Sequence, residues 1–405
     1  MKLATPKGFR DFLPPDALKR KFVLGKITEV FERFGFDPLE TPTLEYAETL
    51  KGKYGEEEKL IYEFETRGGD QVALRYDQTV PLARVVGQYG PTGQQVLPIP
   101  FKRYQIQDAY RGENTQKGRY RQFLQCDADI VGVSSPLVDA EILALVYEIY
   151  QSLGLKIVIK INDRALLKNI EPKYLAAVDK LTKTDKDGVL KELQQRGLSE
   201  SAARELFAKI QDFDLTENLV EISNLYIKMG YPPSSILFDP ALVRGLDYYT
   251  GLIFEVVLES EQFGSSLCGG GRYDELIGRL SGNDLPAIGF AIGLDRTIEA
   301  MEEEGVLNTP KTTAKVLVTV FSPELIDKSL NVNHRLRSEN IPTELWLDPE
   351  TKLEKQLKYA DQKGIPYVVI IGPDEAAEDK VVIKNLADRT QETLSLDETI
   401  AKLRQ

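Results

Sequence analysis

YRGENTQKGRYRQFLQCDADIVG, residues 110–132, is the stretch on which the reading of this chain turns. With PIPFKRYQIQDAYRG (98–112) before it, RQFLQCDADIVG (121–132) reads as the second of two antiparallel strands, and the charged, glycine-bearing GENTQKGRY between them reads as a loop. Lys102, Arg103, Arg111, Lys117, Arg119 and Arg121 fall in this unit against only Asp108 and Glu113. Alternate residues of a strand share a face, so Arg111 near one strand end and Arg119 near the next start can converge on one anion; a solvated hairpin face explains the charge equally well. Asp127 and Asp129 share a face for the same reason. Carboxylates flanked by apolar residues need partners, and a salt bridge to one of these arginines is the plainest one.

Working outward, residues 16–34 place Val23, Ile27, Val30, Phe31 and Phe34 at helical spacing, with Gly35 as the stop. IYEFETRG (61–68) and QVALRYDQT (71–79) read as a hairpin turning at a glycine pair, with Asp77 and Thr79 at the end of the second strand. SSPLVDAEILALVYEIYQSLG (134–154) is a capped helix. Residues 164–230 turn Lys-, Glu- and Leu-rich and read as a helical insertion. Strand patterns resume in LVRGLDYYTGLIFEVVL (242–258), CGGGRYDELIGRL (268–280) and LPAIGFAIGLDRTIEAM (285–301). After a polar, proline-bearing linker, strand and helix patterns alternate from Lys315 to the end, as in a small α/β domain. The expected organisation is therefore 1–163 and 231–304 as one domain, 164–230 inserted in it, 305–314 as linker and 315–405 as the last domain.

Composition narrows the chemistry. At 405 residues, 42% hydrophobic and 28% charged, the chain is long enough for two or three domains of the ordinary globular class. The N-terminus has no secretory pattern, and no run approaches the ~20 apolar residues of a membrane span. Cys126 and Cys268 cannot build a disulfide framework, which fits a reducing cytoplasm. His334 is the only histidine, which excludes imidazole–serine or imidazole–cysteine dyads and multi-histidine metal sites. A net charge of -12 argues against generic polyanion binding.

Arg111 and Arg244 are of interest together, since two arginines bracket a phosphoryl group without a general base. The three glycines of CGGGRYDE allow either a close approach to a ligand or a turn. GFAIGLDR delivers Arg296 after two glycines that suit packing. Tyr248 and Tyr249 read first as core or interface. No GxxxxGK[ST] is present, so any nucleotide is held otherwise.

Together these stretches resemble a known family. YRGENTQKGRYRQFLQCDADIVG resembles motif 2 of class II aminoacyl-tRNA synthetases, GFAIGLDR resembles motif 3, and the first helix with PLETPTLE resembles motif 1. RGLDYYTG and GGGRYDELIG are similar to the two signature peptides of histidyl-tRNA synthetases, and the tail is similar to that family's anticodon-binding domain. The resemblance implies an α+β catalytic domain with an antiparallel sheet flanked by helices (class II synthetase-like), a helical insertion and a C-terminal α/β anticodon-binding-like domain. It implies a histidine–tRNA ligase that forms histidyl-adenylate from L-histidine and ATP and passes it to tRNA(His), working as a cytoplasmic homodimer off the membrane. By resemblance Arg111, Glu113, Arg119, Phe123 and Arg296 hold ATP, with Phe123 under the adenine, and Arg244 is the catalytic arginine at the α-phosphate beside Arg111. The histidine ammonium falls to Asp77, Thr79 and Gln125, and its imidazole to Asp129, Tyr248 and Tyr249. Asn114, Gln116 and Lys117 face the tRNA acceptor end. Mg²⁺ accompanies ATP, with no protein ligand assigned. The last domain carries 13 Lys and Arg against 16 Asp and Glu, so its charge balance does not itself argue for RNA. The rival is a silent relative that binds histidine as the regulatory subunit of ATP phosphoribosyltransferase.

Overall fold

A computed structural model describes residues 3–52, 55–115, 119–179, 186–244, 248–260, 265–282 and 284–404. The chain divides into two compact units, Met1–Asp11 with Val23–Leu307, and Phe12–Phe22 with Asn308–Gln405. No helix among the described residues is long and apolar enough to cross a membrane.

Helix α1 (Pro14–Arg33) buries Val23, Ile27, Val30 and Phe31, the spacing read from the sequence, and the chain turns at Gly35 with φ of 72°. After β1 (Asp37–Pro38) come β2 (Leu44–Tyr46), α2 (Ala47–Leu50), β3 (Glu63–Glu65) and β4 (Gln71–Leu74). The β3–β4 hairpin forms as expected, but it joins β2 in a separate three-stranded sheet. Its second strand also ends earlier than the sequence suggested. Asp77 lies beyond β4, and its Oδ1 accepts from the backbone N–H groups of Thr79 and Val80 at 3.1 and 3.2 Å. It thereby caps α3 (Thr79–Tyr89), a helix the strand reading of LRYDQT hid.

The expected pair follows as β5 (Phe101–Tyr110) and β6 (Gln122–Val131), antiparallel over ten residues each. Next are α4 (Pro136–Ser152), with Ser135 as N-cap and Pro136 in the first turn, and β7 (Ile157–Asp163). A helical run continues through α5 (Arg164–Leu167), α6 (Pro172–Val178), α7 (Lys186–Gln195), α8 (Glu200–Gln211) and α9 (Glu217–Lys228). Strands β8 (Ile236–Phe238), β9 (Leu252–Leu258) and β10 (Cys268–Arg272), helix α10 (Leu276–Ser281), strand β11 (Ala287–Gly293) and helix α11 (Leu294–Glu303) complete the first unit.

Its main sheet runs β1-β5-β6-β11-β10-β9-β7-β8, antiparallel throughout except for the parallel edge pairs β1–β5 and β7–β8. One face is the core: Cys126, Ala128 and Ile130 of β6, Phe254 and Val256 of β9, and Ile288, Phe290 and Ile292 of β11 pack with α1, α4, α9 and α11. Strand period two sends the intervening residues to the other face. Gln125, Asp127 and Asp129 stand there together, which is why a strand with a fully apolar core face carries two carboxylates.

In the second unit β12 (Val316–Val318), α12 (Ile326–Ser338), β13 (Thr343–Leu345), α13 (Leu353–Lys363), β14 (Tyr367–Ile370), α14 (Pro373–Glu378), β15 (Lys380–Asn385), β16 (Gln391–Ser395) and α15 (Leu396–Arg404) form a five-stranded mixed sheet, order β13-β12-β14-β15-β16. Val316 and Val318 face one cluster with Leu336 and Leu403, and Leu317 faces another with Ala360 and Val368. The strand is apolar at every position because helices cover both faces.

Candidate active site

The polar face of the main sheet is built in rows. Asp127 of β6, Ala291 of β11, Gly269 of β10 and Glu255 of β9 are register partners across four strands, and Asp129, Gly289, Gly271 and Ile253 form the next row. The glycines leave room for functional side chains. A Cβ on Gly269 would lie 2.5 Å from the Arg244 Cζ, one on Gly271 would lie 2.8 Å from the Tyr249 ring, and one on Gly289 would overlap the Asp129 carboxylate. The triple glycine is thus neither a turn nor a bare backbone platform. It is a strand whose face is occupied by side chains from elsewhere.

Arg103 is wholly buried, so the solvated-face reading of the basic stretch fails for it. Its Nη2 pairs with Asp129 Oδ2 at 2.6 Å, and the Tyr273 hydroxyl donates to Asp129 Oδ1. Burial pushes the Asp129 carboxyl upward, and Arg103 and the Tyr273 hydroxyl pull it back. Asp127, 2% exposed, has no such partner, and its Oδ1 is buried without a hydrogen bond. Burial pushes this carboxyl well above the usual range, Arg103 opposes, and Asp129 and Asp77 add to the push.

A hydrogen-bonded chain walls the pocket. Tyr248 bonds to Thr79 and to Tyr249, and Tyr249 bonds to Arg244, whose Nη1 donates to Glu255 Oε1 at 2.8 Å. Burial raises all three tyrosines, Tyr248, Tyr249 and Tyr273, so they remain protonated. Burial pulls Arg244 downward, but Tyr249 and Glu255 outweigh it, and the guanidinium is held above its ordinary value. It is a permanent cation fixed at the edge of the cavity.

The second lobe is cationic and aromatic. Arg111 donates from Nε to the Tyr76 carbonyl at 3.1 Å, and its Cζ lies 4.3 Å from the Tyr76 ring centroid and 5.2 Å from that of Phe123. Arg119 pairs with Glu113 at 3.1 Å, and Arg296, in the first turn of α11, donates to the Ser266 carbonyl at 3.1 Å. Arg10 stacks on Tyr120 and pairs with Asp295 at 2.6 Å, tying the N-terminal segment to the residue beside Arg296.

One cavity of about 400 Å³ is lined by most of these groups, though not by Arg10, Tyr76 or Arg103. Of the residues assigned to histidine, Asp77, Thr79, Gln125, Asp129, Tyr248 and Tyr249 all line it; of those assigned to ATP, Glu113, Arg119, Phe123 and Arg296 do. Arg111 and Arg244, far apart in the chain, line it together. Asn114 is exposed and is not part of the lining, and Gln116 and Lys117 lie outside the described residues. Glu255 and Tyr273 line the cavity without having been singled out. The signal for Glu255 was available, since it is the lone charge in LIFEVVL.

The geometry agrees with what the chain is similar to. A family model described as histidyl-tRNA synthetase matches residues 8–297, and one described as anticodon binding domain matches residues 315–405. The chain is 40% identical to a histidine–tRNA ligase of Gloeobacter violaceus, covering 98% of this chain and 97% of that protein. It is 38% identical to a histidine–tRNA ligase of Korarchaeum cryptofilum, covering 100% and 99%. A crystal structure of histidyl-tRNA synthetase from Nostoc sp. PCC 7120 matches with a TM-score of 0.85 at 32% identity, covering 100% of this chain and 99% of that one. Class II architecture, signature peptides and full-length similarity converge: the chain belongs to the histidyl-tRNA synthetase family and is an aminoacyl-tRNA ligase.

Proposed function

We propose that the chain joins L-histidine to ATP, giving histidyl-adenylate and pyrophosphate, and then transfers the histidyl group to the 3′ end of tRNA(His). The observation that carries this is the shared cavity of Arg111 and Arg244. Attack by the histidine carboxylate on the α-phosphorus builds negative charge on the phosphoryl oxygens. Two fixed guanidinium groups stabilise that charge more in the transition state than in the ground state, which is what raises the rate. Phe123 supplies a platform for adenine, and Glu113, Arg119 and Arg296 position the nucleotide. Mg²⁺ enters on the ATP phosphates; among the described residues no group of three or more acidic, histidine or cysteine side chains is placed to hold an ion, and no step is assigned to it.

For the amino acid, Asp77, Thr79 and Gln125 meet the ammonium, and Asp129, Tyr248 and Tyr249 meet the ring. A pocket that hydrogen-bonds both ring nitrogens rejects analogues lacking them by as much as ~10⁴-fold, because the wrong ligand leaves buried polar groups unpaired. Pyrophosphate exchange screened over all twenty amino acids tests this directly: only histidine should support it. Exchange with another amino acid would remove the specificity, and none with any would favour the silent regulatory relative. That alternative has less support, since the similarity to ligases runs the full length and includes the anticodon-binding domain.

The working partition is 1–163 with 231–304 for catalysis, 164–230 as the insertion, 305–314 as linker and 315–405 for the anticodon of a cytoplasmic tRNA, with Asn114, Gln116 and Lys117 toward the acceptor end. We also assign a homodimer. The β2–β4–β3 sheet leaves Leu44, Tyr46 and Phe64 40%, 59% and 46% exposed, a concentration of apolar side chains that a second copy would cover. Sedimentation at micromolar concentration should give twice the mass of one chain; a monomer there would remove the assignment.

A further inference from the structure

Asp127 is a buried carboxylate of the cavity that the assigned roles leave unused. Its neighbours on β6 show what it lacks. Asp129, two residues on, is held by Arg103 and Tyr273. Among the described residues Asp127 Oδ1 is buried without a hydrogen-bond partner, and so is Gln125 Oε1, two residues back on the same face. The segment carrying Asp77 is seated over this end of the strand, where the Gln78 side chain donates to the carbonyls of Gln107 and Gln125 at 2.7 and 3.4 Å. This end of the cavity therefore holds two buried acceptor atoms, Asp127 Oδ1 and Gln125 Oε1, that no described donor meets, while Asp129 is held by Arg103 and Tyr273.

A carboxylate serving only the fold would be partnered, because an unpaired buried polar group costs stability. A group with three N–H donors and a positive charge is the complement of this arrangement, and a metal ion is not, since no described acidic cluster is placed to hold one. We propose that Asp127 is a direct anchor for the α-ammonium of the amino-acid substrate, acting with Gln125 Oε1 beside it. This rests on the histidine-activating reading above and extends it by one residue. Burial pushes the Asp127 carboxyl upward, Arg103 opposes this, and Asp129 and Asp77 add to the push, so a cation beside it would favour its charged form.

Calorimetry on the full-length protein tests the proposal with three probes: L-histidine, L-histidinol, which keeps the ammonium, and 3-(imidazol-4-yl)propionate, which lacks it. Asp127→Asn, which keeps the shape, should weaken histidine and histidinol by at least ~10-fold, the scale of a lost hydrogen bond to a charged group, and leave the propionate unchanged. Unaltered ATP affinity and thermal midpoint show that the variant is folded, and Asp127→Ala should repeat the pattern. Equal histidine binding by wild type and variant overturns the proposal, as does an equal loss for all three probes. Failure of the wild type to bind histidine at all would instead sink the underlying assignment of the reaction.

Discussion

Arg244→Ala should lower histidine-dependent ATP–pyrophosphate exchange by ~10²–10³-fold, the cost of removing a pre-aimed charge from a developing oxyanion. The structure explains why no neighbour compensates. Arg244 is clamped by Glu255 at 2.8 Å and by Tyr249, so its position is set before ligands arrive. Removing it would delete a cation and also leave the Glu255 carboxylate in the cavity without its Arg244 partner. The double change Arg244→Ala with Glu255→Gln should therefore regain part of the lost rate. Arg244→Lys should not restore it, since an ammonium on a flexible stem cannot reproduce the guanidinium fork held between Tyr249 and Glu255. Exchange near the wild-type rate in Arg244→Ala, with the fold intact by circular dichroism, would remove Arg244 from the chemistry.

Gly269→Ala should reach nearly the same loss, ~10²-fold, without replacing any charged residue. Its Cβ would fall against the Arg244 guanidinium, the far end of a long side chain that can move aside. The backbone has little to resist, because Gly269 is not at positive φ and alanine is tolerated in a strand. The fold survives, and the charge is displaced by an ångström or more, which suffices for a loss of about this size. Gly270→Ala is the contrasting case: its Cβ meets the Phe290 Cβ at 2.6 Å and the Phe254 ring at 2.8 Å on the core face. That variant should lose thermal stability as well as activity. A Gly269→Ala protein with normal exchange would mean that the guanidinium is not needed where it now lies.

These two glycines show where reading residues in order stops being informative. CGGG is compatible with a turn, a ligand platform or a strand, because glycine lacks the side chain whose pattern would decide. Only the register of β10 between β9 and β11 separates Gly269 and Gly271, which face the cavity, from Gly270, which faces the core. LRYDQT departs from its strand pattern for a related reason. Its apolar-polar pattern continues past Leu74, but Asp77 turns its carboxylate onto the next backbone N–H groups and begins a helix. Arg103 and Arg119 sit in one basic stretch, yet the first is wholly buried and the second has a side chain 49% exposed.

Local pattern alone determined much of this protein: the helical face of Val23, Ile27, Val30 and Phe31, the β5–β6 pair, the capped α4, the alternating second unit and, through motif resemblance, the family. These depend on neighbours within a few residues, where periodicity and capping act. Tertiary structure decided which charges are already satisfied. Arg103 neutralises Asp129 and leaves Asp127 unpartnered, and Arg244 meets Arg111 across one cavity. Such pairings depend on strand order and on space left by distant glycines, neither of which has a period that a linear chain can display.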